Sequence, residues 1–157
     1  MAWTNSRVFR PFLESVFKNT AAFDLDGDSF KAALYNNSIT PDNDVSAANS
    51  AYNVDQWGTA NELYEVGQWA QAGVALTTPV IDVSSADVVF WDADDTASGS
   101  GADITNAVGT LVYDDTLTTP VADQGVCYLY FGGAFTSTNG TFTVSWPATG
   151  LWRATLT

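Results

Sequence analysis

The chain contains no histidine and a single cysteine, Cys127, in 157 residues. The first absence excludes Ser-His-Asp and Cys-His catalysis and removes the commonest zinc ligand. The second excludes an intramolecular disulfide, which a chain of this size does not need to hold a core. Basic residues are equally scarce. There are five, and between Lys31 and Arg153 there is none, although fourteen acids lie in that interval. No apolar run is long enough to span a bilayer. The opening M-A-W-T-N-S-R-V-F-R lacks a signal-type apolar segment, so the expected place of synthesis is a cytoplasm.

What is present is aromatic and acidic: six Trp, six Tyr and nine Phe, with a formal net charge of −13. The first 31 positions are balanced, with Arg7, Arg10, Lys18 and Lys31 against Glu14, Asp24, Asp26 and Asp28. The remainder is anionic and is repelled by nucleic acid and by anionic membranes, so neither is an expected partner. Two readings fit this division. The acidic surface serves solubility, or it faces solvent while the N-terminal segment docks onto a partner.

Residues 8–18, V-F-R-P-F-L-E-S-V-F-K, place Val8, Phe9, Phe12, Leu13, Val16 and Phe17 at helical spacing. Pro11 suits a first turn, so the helix is expected from Arg10, and Asn19 can end it. A helix this short must bury its stripe, against its own sheet or in a partner. Ser29–Tyr35 reads as a strand with Phe30, Ala32 and Leu34 on one face. A loop with Pro41-Asp42 follows, and residues 45–57 suit a short helix or irregular turn capped by Gly58. From Val66 the pattern is β, with strands expected at 72–83, 88–91, 108–113, 126–131, 141–146 and 151–156. In the 141–146 segment Phe142, Val144 and Trp146 face one way and hydroxyls the other. The separators 92–101, 114–125 and 132–140 carry turn chemistry, Asn139-Gly140 among it. The expected fold is mainly β: an antiparallel β-sandwich or small β-barrel with a short N-terminal α-helix. Residues 1–22 form an N-terminal arm and amphipathic helix acting as an anchor, and residues 23–157 form one β-rich domain.

Three features imitate functional sites. Asp24-Leu25-Asp26-Gly27-Asp28 resembles the start of an EF-hand loop, but the glycine is fourth, and the twelfth residue is Tyr35 where a bidentate Glu is needed. An Asx-rich turn is the alternative. Asp92, Asp94 and Asp95, and Asp114 with Asp115, are acidic groups of the kind used by glycosidases or for calcium, though they close strands, where Asp is common. Six tryptophans raise carbohydrate stacking against the commoner use of large aromatics as core or interface anchors. There is no phosphate-binding loop. No catalytic residue, metal ligand or cofactor is expected.

The stretch D-L-D-G-D-S-F-K-A-A-L-Y-N-N-S-I-T-P-D resembles a family of small virion proteins of tailed bacteriophages. Such proteins open with an apolar helix, then an L-D-x-D-x-F-K-x-A-L strand and a T-P-D loop. The resemblance continues in order through W-A-Q-A-G-V-A-L (69–76), V-F-W-D-A-D-D (89–95), L-V-Y-D-D-T (111–116), Y-F-G-G (130–133) and N-G-T-F-T-V-S-W (139–146). Residues 43–65 are the least family-like. The resemblance implies a non-enzymatic structural protein of the virion. Its expected role is a decoration or cement protein on the capsid surface, bound to the major capsid protein; the alternatives are a minor tail protein or a virion-displayed glycan-binding module. A homo-oligomer, a trimer, is the expected assembly. The expected partner-binding residues are Trp3, Arg7, Phe9, Arg10, Phe12, Leu13 and Phe17.

Overall fold

The computed structural model describes residues 3–83 and 86–156; the first two residues of the expected arm, Ser84, Ser85 and Thr157 lie outside them. In chain order the elements are β1 (Arg7–Val8), α1 (Arg10–Lys18), β2 (Phe30–Tyr35), α2 (Ala47–Ser50), a 3-10 turn (Asp55–Trp57), β3 (Glu62–Leu63), β4 (Val74–Ala75), β5 (Thr77–Asp82), β6 (Val88–Asp94), β7 (Thr96–Ala97), β8 (Ala107–Asp114), β9 (Gly125–Phe135), β10 (Thr143–Val144) and β11 (Trp152–Thr155). The fold is mainly β, and every strand pairing is antiparallel. It has sandwich character. A large sheet runs β1-β9-β8-β2-β3, with β4 also on β2; the other sheets are β11-β6-β5 and β10-β7.

The large sheet is the middle layer. All eight residues of β8 are buried, which is how a strand covered on both faces reads: a continuous apolar run, A-V-G-T-L-V-Y. Pairing fixes the two faces. Phe30 stands opposite Asp114, and Tyr35 opposite Gly109; alternate residues point to opposite sides. On one side Phe30 meets Trp91 of β6, ring centroids 4.8 Å apart and nearly perpendicular. On the other, Tyr35, Trp57, Trp3, Phe9 and Tyr128 form a cluster of edge-to-face and tilted rings. Such geometry is favoured by the ring quadrupoles and adds about 0.5–1.5 kcal/mol per pair beyond burial. Gly109 makes room for it: a Cβ there would collide with the Trp3 ring and the Leu129 carbonyl.

Three expectations need correction. The 1–22 segment is not an anchor set outside a body that begins at residue 23. Arg7 and Val8 pair with Tyr128 and Cys127 as an edge strand, and Trp3, only 1% exposed, lies in the main core. Second, the strand expected at 72–83 is two strands on different sheets. Val74–Ala75 pairs with β2 and Thr77–Asp82 with β6. Between them Leu76 turns inward and donates its N–H to the Phe30 carbonyl at 2.8 Å. Gly73, at φ +87 and hard against the Ala32 backbone, starts this corner, a position no side chain fits. Third, Gly132-Gly133 is not a turn but part of β9. Tyr130 opposes Gly109 and Phe135 opposes Ala107, so residues 131–134 bulge outward. At 141–146 only Thr143 and Val144 join a ladder, although the in-out alternation persists throughout.

Candidate interaction surface

Helix α1 has the expected limits. Pro11 sits in its first turn, and Asn19 closes it in the left-handed region at φ 52, with the Asn19 and Thr20 N–H groups on the carbonyls of Val16 and Ser15. Its buried face is not the expected stripe. Phe9 precedes the helix in extended conformation, its N–H on the Val126 carbonyl at 3.0 Å. That anchor turns Pro11, Phe12 and Ser15 inward and leaves Val16 and Phe17 outward. Phe12 packs against Phe23 at 4.9 Å and against Trp152 at 6.4 Å.

The seven expected partner-binding residues therefore divide. Trp3, Phe9 and Phe12 are core residues with no surface to offer. Leu13 is half-buried against the core. Arg7, Arg10 and Phe17 are exposed, Phe17 to 83%. Around Phe17 the helix surface carries two ion pairs, Arg10 with Asp44 and Lys18 with Glu14 at 2.6 Å. The Lys18 ammonium holds the Glu14 carboxyl below its usual range. These pairs are solvated and contribute little to stability; their effect is to fix a mixed-charge rim beside an open phenylalanine ring. A depression of about 570 Å³ beside the helix is lined by Arg10, Glu14, Lys18, Val45, Pro120 and Val121 among others.

The acidic motifs are built into the fold: Asp24 and Asp28 make a turn, whereas Asp92 and Asp94 lie in β6 itself. Asp24 Oδ1 accepts the Gly27 N–H, and Asp28 Oδ2 accepts the Asp24 N–H at 2.7 Å. Asp94 accepts the Thr78 hydroxyl, and Asp95 accepts the Ser145 hydroxyl and the Trp146 N–H. Asp115 pairs with Lys31 at 2.9 Å. Among the described residues no three or more His, Cys, Asp or Glu side chains come together to hold a metal ion. One carboxyl is unusual. Asp114 is fully buried; its Oδ1 accepts the N–H groups of Thr116 and Leu117, its Oδ2 receives no N–H or O–H donor, and the carboxyl interacts with that of Asp28. Burial, and then the Asp28 carboxyl, push it up to about 7 against the pull of the two N–H donors.

A second buried polar group, Glu62, accepts the Tyr52 hydroxyl and the Ala72 N–H, each at 2.8 Å. Burial raises it as well. Tyr52 stacks on Tyr113 at 4.9 Å, and the Tyr113 hydroxyl donates to the Ala72 carbonyl. These bonds hold the 62–72 loop to the sheet and leave no open carboxylate for chemistry. Nor do the tryptophans offer a stacking platform: Trp3, Trp57, Trp69, Trp91 and Trp146 are buried, and Trp152 is half-buried against Phe12.

One surface escaped the sequence reading. The β9 bulge and the 141–147 segment enclose a groove of about 500 Å³ whose walls include Tyr130, Phe131, Phe135, Thr141, Thr143 and Ser145. The hydroxyl alternation at 141–145 was the signal, but it read as a solvent face. Comparison of the chain with protein-family profiles, curated proteins and solved structures finds no match.

Proposed function

We propose that this chain is a non-enzymatic structural protein of a tailed-bacteriophage particle, a decoration protein on the outside of the major capsid protein lattice. The observation that carries the reading is an 83%-exposed phenylalanine, Phe17, on the charge-balanced N-terminal segment of an otherwise acidic chain. Burying such a ring in a partner contributes about 1.5–3 kcal/mol, and repetition across a symmetric lattice multiplies a modest contact. The acidic remainder would face solvent and keep a high-copy protein soluble. The resemblance in residues 24–42 and the ordered motifs after it supply the phage context. The docking surface is narrower than the sequence implied: Phe17 and Val16 with Arg10, Lys18 and Arg7, and not the buried Trp3, Phe9 and Phe12. A homo-oligomer on a lattice symmetry axis, a trimer, belongs to the same proposal.

The test is incorporation. Phe17→Asp and Arg10→Ala, made together, leave the core untouched. Particles assembled with this variant should carry at least about tenfold less of it, an interface loss of some 1.4 kcal/mol or more. Wild-type occupancy would refute docking through this face. Label confined to the tail in electron micrographs would replace decoration with a minor tail role.

A further inference from the structure

We propose that the groove between the β9 bulge and residues 141–147 binds a neutral saccharide. This site is independent of where the protein sits in a particle, and it uses none of the tryptophans.

The groove exists because of the bulge. Between Tyr130 and Phe135, strand β9 leaves its ladder with β8; Gly132 takes φ +84, and nothing lies within 4 Å of where a Cβ of Gly132 or Gly133 would be. The excursion brings Phe131 and Phe135 together, centroids 6.4 Å apart and edge to face, with Phe131 also 6.4 Å from Phe142. Phe135 remains 53% exposed. It is an open ring at the point where β9 rejoins β8 opposite Ala107, held by the Phe131 ring of the bulge.

The opposite wall is hydroxylic. Thr141, Thr143 and Ser145 are exposed while Phe142, Val144 and Trp146 are buried, so the hydroxyls repeat every second residue, about 6.6–6.8 Å apart along the strand. Ser145 donates to Asp95, which fixes its oxygen as an acceptor. Thr143 joins the β10–β7 ladder through its backbone, and the Thr141 and Thr143 hydroxyls make no hydrogen bond among the described residues. At the rim the Ser6 and Thr136 oxygens accept the N–H groups of Tyr130 and Asn106, leaving both hydroxyl protons free to donate.

No Asp, Glu, Lys or Arg lines the groove, in a chain of net charge −13. An anion would be repelled by the surrounding field, and a cation would find no carboxylate in the lining itself: Asp95, behind Ser145, is taken up by the Ser145 hydroxyl and the Trp146 N–H. The ligand that matches is neutral, with an apolar C–H face for Phe135 and hydroxyls for the threonine wall. The volume, about 500 Å³, falls within the ordinary range of small-ligand sites. A peptide adding a strand to β9 is the competing occupant. It needs a free backbone edge, and Ser6 already occupies the Tyr130 N–H at 3.0 Å.

The experiment uses the full chain and saturation-transfer NMR with maltotriose, cellotriose and the N-acetylglucosamine trimer, with trigalacturonate as the charged control. At least one neutral trimer should bind saturably, and trigalacturonate should not. Phe135→Ala should weaken that binding about tenfold or more while the far-ultraviolet circular dichroism stays native, because the ring is 53% exposed and outside the main core. Thr141→Val with Thr143→Val should weaken it too, while Phe17→Ser, outside the groove, should not. The proposal is overturned if no neutral trimer binds at about 20 mM, a level that detects even very weak complexes. It is equally overturned if binding survives both groove variants, if trigalacturonate binds as well, or if an extended polyvaline-threonine peptide binds the groove while the sugars do not.

Discussion

Replacing Trp3 by alanine tests whether the N-terminal segment belongs to the core. Trp3 is 1% exposed, and its ring contacts Trp57 and Tyr128, each at 5.9 Å. Its indole N–H donates to the Asn36 carbonyl at 3.0 Å. Deleting a buried aromatic side chain costs about 3–5 kcal/mol through lost transfer energy and the cavity left behind. The lost hydrogen bond adds about 1 kcal/mol. Gly109, over which the ring lies, cannot fill the space. The expected loss is therefore about 4–6 kcal/mol, a large fraction of the 5–15 kcal/mol typical of a domain. Urea unfolding followed by tryptophan fluorescence and far-ultraviolet circular dichroism, at constant m-value, measures it. Phe17→Ser is the partner measurement: its ring is 83% exposed, and the expected change is within about 0.5 kcal/mol. If Trp3→Ala costs less than about 1 kcal/mol, the segment is an arm resting on the fold and the core assignment is wrong. The same argument makes deletion of residues 1–20 an unsuitable docking test, because it would remove Trp3, Phe9 and Phe12 from the core.

Asp114→Asn should abolish a pH dependence. The buried carboxyl is raised to about 7, so the stability it permits is complete below its unfolded value near 3.9 and is lost as pH rises towards 7, by up to about 1.4 kcal/mol per unit. Glu62 and Asp123 are raised too and slope the same way, so the test is a difference: between pH 5 and pH 8 the variant should gain more than about 1 kcal/mol on the wild type in urea midpoints, and equal slopes would contradict the account. Cys127 is buried, and burial pushes its thiol up; it should resist Ellman's reagent in the native state and react at once in denaturant, and rapid native labelling would show that β9 opens.

Much of the fold was legible because several residues act locally. Pro11 and Asn19 set the ends of α1 through backbone constraints that no tertiary contact overrides. The apolar runs of β2 and β8 marked both as strands, but their two-sided burial, Ala33 and Tyr35 as well as Phe30, Ala32 and Leu34, was not read from them. The corner at Leu76 was not legible: both halves of 72–83 read as strand, and which sheet each joins depends on partners remote in sequence. The bulge at Gly132-Gly133 read as a turn because glycine pairs mark both. The helix stripe misled in a different way. Six apolar residues at helical spacing do not say which of them the chain entering at Phe9 rotates inward. Ser15 is buried and Phe17 is open because the Phe9–Val126 bond sets that rotation. The groove was hidden by its own chemistry, since a row of hydroxyls opposite a buried row looks the same whether it faces water or a sugar.

The most direct test of the proposed role is the copy number of this protein in purified phage particles, measured by quantitative mass spectrometry against the major capsid protein. A decoration protein is present in hundreds of copies, in fixed ratio to the lattice. A handful of copies, or none, would contradict that role.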